Sequence, residues 1–258
     1  MKKRILIANL KIGLSLKETE NLTKEIIEAL SQLMNFENLE IVICPSFTAI
    51  PRVYDLVKDS SLSLSLGAQN VFWEERGAYT GEVSVLMLKE LGVNYVIVGH
   101  SERREYLKES EEMIRKKIKV ALNHNLIPIV CIGETYEERK RGEKDNVIIK
   151  QMDYLLKDID YKENKQIIVA YEPVWVIGSG QAVSPEEIEN TSSVIRGKLM
   201  NLFPKDFVEK KVRIIYGGSV NSTNIKDFAM KNIDGFLVGT ASLKSEEFIE
   251  IIKILLTH

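Results

Sequence analysis

The stretch Tyr95-Val-Ile-Val-Gly-His-Ser-Glu-Arg-Arg104 indicates the fold class of this chain of 258 residues. A short apolar, β-branched run ends there in Gly99 and His100, and a polar run with helical character follows. A second stretch, Tyr171-Glu-Pro-Val-Trp-Val-Ile-Gly-Ser-Gly180, likewise follows an apolar run, with a carboxylate and then glycines. Sites in α/β proteins lie beyond the carboxyl ends of parallel strands, so both stretches are candidates for one site.

The same alternation runs through the whole chain. Apolar runs that predict strands lie at 4–9, 40–44, 62–67, 93–98, 126–131, 166–171, 212–216 and 235–238. Most are continuously apolar, which is typical of parallel strands buried on both faces. Helical patterns follow them at 16–34, 47–57, 82–91, 103–123, 137–158, from Ser184 onward, 222–230 and 244–256. Eight such units predict one (β/α)8 barrel domain spanning 1–258, with a doubly wound open sheet as the alternative.

Composition and charge exclude several classes of protein. Hydrophobic content is 45%, charged content is 28% and the formal net charge is −2, so there is no global attraction to nucleic acid or an anionic membrane. No signal peptide is recognised, and no apolar run approaches the roughly 20 residues of a membrane span. We therefore expect a cytoplasmic protein. Cys44 and Cys131 each close an apolar run, so we expect buried thiols without a disulfide.

The distinctive polar residues and glycines all fall at the carboxyl ends of predicted strands. They are Asn9, Lys11, His100, Glu172, Gly217-Gly-Ser219 and Gly239-Thr240. A lone glutamate or histidine is more often structural than functional. Their gathering on one rim favours a site instead, and a histidine, a carboxylate and glycines together indicate proton transfer on a phosphorylated small molecule.

The chemistry of each residue type suggests a role. Glu172 precedes an apolar, glycine-ended loop at 173–183 that could close as a lid, with Ile177 and Leu237 excluding water and making the carboxylate a better base. A helix N-terminus beyond His100 disfavours the imidazolium, so a neutral ring would donate a hydrogen bond to a carbonyl. Lys11 would stabilise a developing enediolate, and Glu102 would orient it.

Metal and cofactor chemistry find no support in the sequence. The three histidines are His100, His124 near a helix end and His258 at the last position, so no ligand cluster is expected on the rim. No lysine lies in the strand runs 96–98, 127–131 or 212–215, as a Schiff-base aldolase would need. The run at 178–183 lacks the third glycine of a dinucleotide fingerprint. We expect neither metal nor cofactor.

With these residues in view, the chain resembles the triosephosphate isomerases from end to end. The resemblance includes the two stretches quoted above and seven further motifs: Asn9-Leu-Lys11, Cys44-Pro-Ser-Phe-Thr48, Gly67-Ala-Gln-Asn70, Gly77-Ala-Tyr-Thr-Gly-Glu82, Cys131-Ile-Gly-Glu134, Tyr216-Gly-Gly-Ser219 and Leu237-Val-Gly239. The motifs around His100 and Glu172 are highly specific in combination.

The resemblance implies a cofactor-free interconversion of dihydroxyacetone phosphate and D-glyceraldehyde 3-phosphate. Glu172 would move the proton between carbons, His100 would serve the oxygens, and Lys11 and Asn9 would hold the substrate. Backbone N–H groups would bind the phosphate at Gly178, Ser219, Gly239 and Thr240. The resemblance also implies a homodimer in which the loop Phe72–Glu82 contacts the partner. Its aromatic residues, Phe72, Trp73 and Tyr79, are expected to be exposed near Thr80.

The chain departs from the family pattern at several positions. Leu10 replaces a usual tryptophan, Ile12-Gly13 replaces Met-Asn, and Thr240 replaces a glycine. The lid also differs at Val176, Ser179 and Gln181-Ala-Val183. These departures leave open an isomerase for a four-carbon ketose phosphate. A sugar-phosphate sensor or scaffold is a further alternative, although it would have no need of Glu172 beside His100.

Overall fold

A computed structural model describes residues 3–33, 38–60, 62, 64–162, 165–177, 183–229 and 232–257. Eight parallel strands pair in sequence order, and β1 pairs with β8, so the sheet is a closed barrel. The strands are β1 Arg4–Asn9, β2 Leu39–Cys44, β3 Leu64–Ala68, β4 Tyr95–Val98, β5 Ile127–Ile132, β6 Ile167–Tyr171, β7 Val212–Tyr216 and β8 Gly235–Val238. The predicted barrel is confirmed and the open sheet is excluded, with strand bounds within two residues of the prediction.

Alternate residues of the strands point into the barrel. Apolar side chains from every strand except β3 build this inner layer, among them Ile5 and Ile7 of β1, Ile168 and Ala170 of β6, and Ile215 of β7. The intervening residues form a larger apolar layer between strands and helices. Because the period of a strand is two, each inward series sets which residue faces the barrel mouth at the strand's end.

The helices surround this sheet. In the described residues they are α1 Leu16–Gln32, α2 Ile50–Lys58, α3 Val85–Glu90, α4 Ser101–Tyr106, α5 Glu111–Asn123, α6 Tyr136–Lys140, α7 Lys144–Leu156, α8 Pro185–Leu202, α9 Lys205–Lys211, α10 Ile225–Phe228 and α11 Ser245–Leu256. Among these helices, none has the length and apolarity needed to cross a bilayer.

Two predicted helices were wrong as single elements. The pattern at 103–123 is divided between α4 and α5, because Lys108 adopts a positive φ of 54° and Ser110 caps the new helix. The pattern at 137–158 is divided between α6 and α7 at Gly142, where φ is 73°. Apolar periodicity continued across both breaks and concealed them. Helix α9 was not predicted.

The third βα loop corrects one expectation. Phe72 is buried rather than exposed, and its ring packs on Trp73 and Tyr79 at centroid distances of 4.1 and 4.7 Å. Tyr79 and Thr80 are exposed, as expected. The aromatic residues therefore stabilise the loop's own conformation and still leave its tip free.

A buried polar network fixes α4 below the barrel mouth. The Lys117 ammonium of α5 donates to Asn70 Oδ1 at 2.7 Å and to the Glu109 carboxylate. Arg103 of α4 donates to the same carboxylate at 2.6 Å. Lys117 and Glu109 are both buried, so each charge depends on the other for compensation.

We predict that Lys117→Met lowers the free energy of unfolding by about 3 kcal/mol. This value is at the low end for breaking a buried ion pair, because Arg103 would still pair with Glu109 in the variant. Urea denaturation followed by circular dichroism measures the change. Lys119→Met, on the exposed face of the same helix, is the matched control and should shift stability by less than about 0.5 kcal/mol. Equal effects of the two substitutions would contradict the role assigned to the network.

Candidate active site

Glu172 continues the inward series of β6. Ile168 and Ala170 point into the barrel, and Glu172 is the next residue in that phase, so its carboxylate lies at the mouth. Only 1% of the residue is exposed. Its Oε2 accepts a hydrogen bond from the Ser101 backbone N–H at 3.2 Å, and Oε1 has no hydrogen-bond partner within the described residues. A backbone hydrogen bond thus holds Oε2 in place, and Oε1 is available to accept a proton.

The free oxygen of Glu172 faces His100. The distance from His100 Nε2 to Glu172 Oε1 is 3.4 Å. His100 is the N-cap of α4, and its Nδ1 accepts the Glu102 backbone N–H at 3.3 Å. A nitrogen that accepts carries no proton, so the neutral ring bears its proton on Nε2. The Nε2–H group and the free carboxylate oxygen of Glu172 therefore face each other.

Lys11 supplies a cation to the barrel mouth from the loop after β1. Its Nζ lies 2.5 Å from Glu102 Oε1, which is the orienting contact that the sequence suggested. Lys11 has a positive φ of 50°, an uncommon conformation for a residue with a side chain, and its N–H donates to Asn9 Oδ1 at 3.2 Å. The Gln69 amide also donates to the Lys11 carbonyl at 2.8 Å. These contacts hold a strained turn in one geometry.

Glycines on neighbouring strands leave space for these side chains. A Cβ at Gly217 would lie 2.9 Å from Glu172 Cγ, and a Cβ at Gly239 would lie 3.1 Å from Lys11 Cε. At Gly133 a Cβ would lie only 1.8 Å from the Glu172 carbonyl oxygen. A larger residue at any of the three would displace either the carboxylate or the ammonium, so these glycines serve the site through close approach.

A cavity of about 380 Å³ joins the catalytic candidates to the loops after β7 and β8. Asn9, Lys11, His100, Ile177, Leu237, Ser219, Gly239 and Thr240 all line it, together with Gly217, Gly218, Val220, Asn221, Ala241, Lys244 and Glu247. The cavity therefore brings most of the candidates together, while Glu172 and Glu102 do not line it and instead contact His100 and Lys11, which do. Gly178 lies outside the described residues, as do Ser179, Gln181 and Ala182 of the lid. Thr240 does not adopt a positive φ, so threonine in place of a glycine is unstrained there.

Some residues of the site were missed by the sequence analysis. Gln69 and Ser101 contact Lys11 and Glu172 as described, and Lys244 and Glu247 line the cavity. Gln69 directly follows β3, so the rule of polar residues at strand ends would have found it. Ser101 acts through its backbone N–H, and Lys244 and Glu247 follow a further turn, so no sequence signal marks them.

The start of the 173–183 loop is anchored to Glu134. The Trp175 Nε1–H donates to Glu134 Oε1 at 3.0 Å, and the Val174 N–H donates to the Glu134 carbonyl at 3.1 Å. The Arg139 guanidinium lies over the Trp175 ring, 4.5 Å from its centroid, and pairs with Glu187. Ser184 caps α8 by accepting the Glu187 backbone N–H at 3.3 Å, while the Glu187 side chain binds Arg139.

In the part of the chain that the structure describes, this geometry includes neither a metal site nor a reactive thiol. Within the described residues, no group of three or more His, Cys, Asp or Glu side chains is arranged to hold a metal ion. Cys44 and Cys131 are buried and unpaired with one another, as predicted. Burial, and then the nearby Glu172, raise the pKa of the Cys131 thiol, so this residue stays protonated.

Comparison with known proteins supports a single family. The family model described as triosephosphate isomerase matches residues 4–255. A triosephosphate isomerase of Dictyoglomus thermophilum is 48% identical over 98% of this chain and 100% of its own length. Those of Caldanaerobacter subterraneus subsp. tengcongensis and Clostridium tetani are 43% and 40% identical over 98% of this chain and over 99% and 96% of their own lengths.

We predict a pH-dependent effect of Glu134→Gln on stability. Burial raises the pKa of Glu134 above its usual 4.5. Between the usual pKa and the raised one, Glu134 is protonated in the folded chain but ionised in the unfolded chain. The contribution of this carboxyl group to stability therefore falls as pH rises through that range. Glutamine does not titrate and keeps an oxygen for Trp175. The variant's stability relative to wild type should therefore increase as pH rises above 4.5.

Urea midpoints at several pH values on both sides of that pKa measure this trend. Glu186→Gln, an exposed position in the first turn of α8, is the control and should show no such trend. A stability difference between Glu134→Gln and wild type that is constant with pH would contradict the buried carboxyl's raised pKa.

Proposed function

The chain belongs to the triosephosphate isomerase family, and we propose that Glu172 and His100 carry its reaction, with Lys11 and Asn9 as substrate-holding groups. The reaction is the interconversion of dihydroxyacetone phosphate and D-glyceraldehyde 3-phosphate, a step of glycolysis and gluconeogenesis. The observation that carries the residue assignment is the 3.4 Å approach of the free oxygen of Glu172 to Nε2 of His100, which lines the cavity. We also propose that residues 1–258 form one catalytic domain.

Glu172 acts as the general base. It removes a proton from the carbon that bears the hydroxyl group, and the electron pair forms an enediolate across the two adjacent carbons. Returning the proton to the neighbouring carbon completes the isomerisation without an external electron donor or acceptor. The unpartnered Oε1 is the oxygen suited to this transfer, since Ser101 already binds Oε2.

His100 is proposed to interact with the two substrate oxygens, one on each of the adjacent carbons. The hydrogen bond to Nδ1 leaves the ring's proton on Nε2, so a neutral imidazole donates to the carbonyl oxygen and exchanges protons between the oxygens. A glutamate base beside a neutral histidine is the established arrangement of triosephosphate isomerases and is not peculiar to this chain. The Lys11 ammonium stabilises the negative charge of the enediolate.

The substrate phosphate is proposed to bind at the other end of the cavity. The N–H groups of Ser219, Gly239 and Thr240 belong to loops after β7 and β8, which form a common phosphate site of such barrels. Gly178 completes the proposed set. Ile177 and Leu237 line the same cavity, and both support a water-excluding role for the lid, which would limit loss of phosphate from the enediolate.

We predict that Glu172→Gln lowers kcat by about a hundred- to ten-thousandfold, because the amide cannot accept the carbon-bound proton. The affinity for a phosphate-bearing competitive inhibitor should change little, since the anion binds elsewhere in the cavity. A coupled assay with glyceraldehyde 3-phosphate measures the rate, with Glu186→Gln as the control. A near-normal rate in Glu172→Gln would remove this residue from its proposed role.

The homodimer is also a proposal. A second cavity of about 250 Å³ adjoins the first one and shares Asn9, Lys11 and His100 with it, and Glu102 also lines this second cavity. Ile12, Tyr106 and Leu107 line it, and they are 96%, 71% and 59% exposed. Apolar side chains so exposed beside a functional site are typical of an interface. The exposed tip of the Phe72–Glu82 loop of a second copy is the proposed occupant.

We predict that Ile12→Glu weakens dimerisation by at least about tenfold, because it would bury an unpaired carboxylate at the interface. Sedimentation velocity over a range of concentrations measures the association. Tyr136→Glu, at another exposed aromatic position on α6, is the control and should leave the dimer intact. A wild-type protein that is monomeric at micromolar concentration would contradict the dimer.

A cytoplasmic location is the remaining part of the proposal. Its support is the chemistry of the substrates, since phosphorylated trioses are anions that do not cross a bilayer unaided and must meet the enzyme where they are made. Fractionation of cells that produce the chain would test it.

A further inference from the structure

We propose that Lys244 is a substrate-capture residue, whose exposed ammonium attracts the phosphate dianion of the incoming substrate toward the cavity. This role presupposes the reaction proposed above and adds to it a group that speeds association without touching the reacting carbons. Neither the strand-end motifs nor the catalytic assignment includes Lys244.

The position of Lys244 is the first support. It follows the helical turn Thr240–Leu243 of the loop after β8 and immediately precedes α11. It lines the same cavity as Lys11 and His100, but unlike them it is exposed to solvent. A cation at the entrance of a cleft acts on an approaching anion before the buried groups can.

The charge balance of the cavity is the second support. Lys11 is compensated by Glu102 at 2.5 Å, and Glu172, which does not line the cavity, adds a buried negative charge with its Oε1 3.4 Å from Nε2 of the cavity-lining His100. Glu247 adds another at the wall, where its carboxylate accepts the Ser222 N–H at 2.7 Å. In the described part of the chain Lys244 has no ion-pair partner. These three carboxylates outnumber Lys11, and Lys244 lowers the net negative charge that a phosphate dianion meets without removing it.

The cost to α11 is the third support. Lys244 is the N-cap of α11 and makes no side-chain cap hydrogen bond. Helices α1, α3, α5, α6 and α8 have serine or threonine caps that accept a backbone N–H, whereas α2, α7, α9 and α10 also have no side-chain cap. A lysine lacks the accepting oxygen, and its charge opposes the helix dipole. The charge at this position therefore does not stabilise the start of α11.

A structural alternative is that Lys244 pairs with Glu247, three residues further on. No such pair is formed among the described contacts, because Glu247 is engaged by Ser222. The two roles also differ in what they affect. A capture residue changes the rate of association and its salt dependence, whereas a structural pair changes stability.

The test compares Lys244→Gln with Lys253→Gln, the same charge change on the same helix but away from the cavity. Triosephosphate isomerases work near the diffusional limit, so kcat/KM for glyceraldehyde 3-phosphate reports association. At low ionic strength Lys244→Gln should lower kcat/KM by about three- to tenfold, within the range of electrostatic steering. The loss should shrink as salt increases, while kcat stays unchanged.

Two further variants sharpen the experiment. Lys244→Arg keeps the charge and should retain most of kcat/KM. Lys244→Ser adds a capping oxygen, so it should raise Tm by about 2–4 °C while lowering kcat/KM like Lys244→Gln. Inhibition by inorganic phosphate should weaken in Lys244→Gln and Lys244→Ser but not in Lys253→Gln.

The inference is overturned if Lys244→Gln matches Lys253→Gln in kcat/KM, if its loss does not depend on salt, or if kcat falls instead. It is also overturned if Lys244→Ser lowers Tm, which would indicate a structural lysine. A wild-type protein without isomerase activity would instead contradict the proposed function. The two failures are thus distinguishable.

Discussion

The site depends on the phase of the inward-facing residues in the closed barrel. In β6 the inward-facing residues are Ile168 and Ala170, and the next residue in the same phase is Glu172, which carries a carboxylate instead of an apolar side chain. In β7 and β8 the same step falls on Gly217 and Gly239, which would collide with Glu172 and Lys11 if they carried a Cβ. A shift of one residue in either register would turn the carboxylate toward the helices, so strand pairing and catalysis obey one constraint.

Backbone hydrogen bonds hold one polar atom of Glu172 and one polar atom of His100 in place. Ser101 holds Glu172 Oε2 and Glu102 holds His100 Nδ1, both through backbone N–H groups at the start of α4. Glu172 Oε1 and His100 Nε2 remain directed at one another across 3.4 Å. Backbone donors cannot be lost by side-chain rotation, so the short helix α4 orients both groups. The buried contact of Arg103 with Glu109 in turn fixes that helix.

The residues around this centre separate binding from chemistry. The cavity extends from His100, which contacts the buried Glu172, to the loops after β7 and β8, so the proposed phosphate site and the proposed proton-transfer site lie at different ends. Departures from the family pattern lie outside the pair itself. Leu10 is fully buried in the apolar layer, and Gly13 packs against Leu243. Thr240 lies in unstrained backbone at the rim, so none of the three disturbs the catalytic geometry.

The sequence by itself determined the eight strands and the residues at the strand ends, because continuous apolar runs and polar termini are local signals. It favoured a barrel, but only the pairing of β1 with β8 excluded an open sheet. It did not determine the breaks at Lys108 and Gly142, since apolar periodicity continued across both. Only the tertiary structure decided that Phe72 is buried in its own loop. It alone also decided which carboxylate oxygen is free and that Lys244 shares a cavity with Lys11. These facts depend on distances between segments far apart in the chain, which no local pattern encodes.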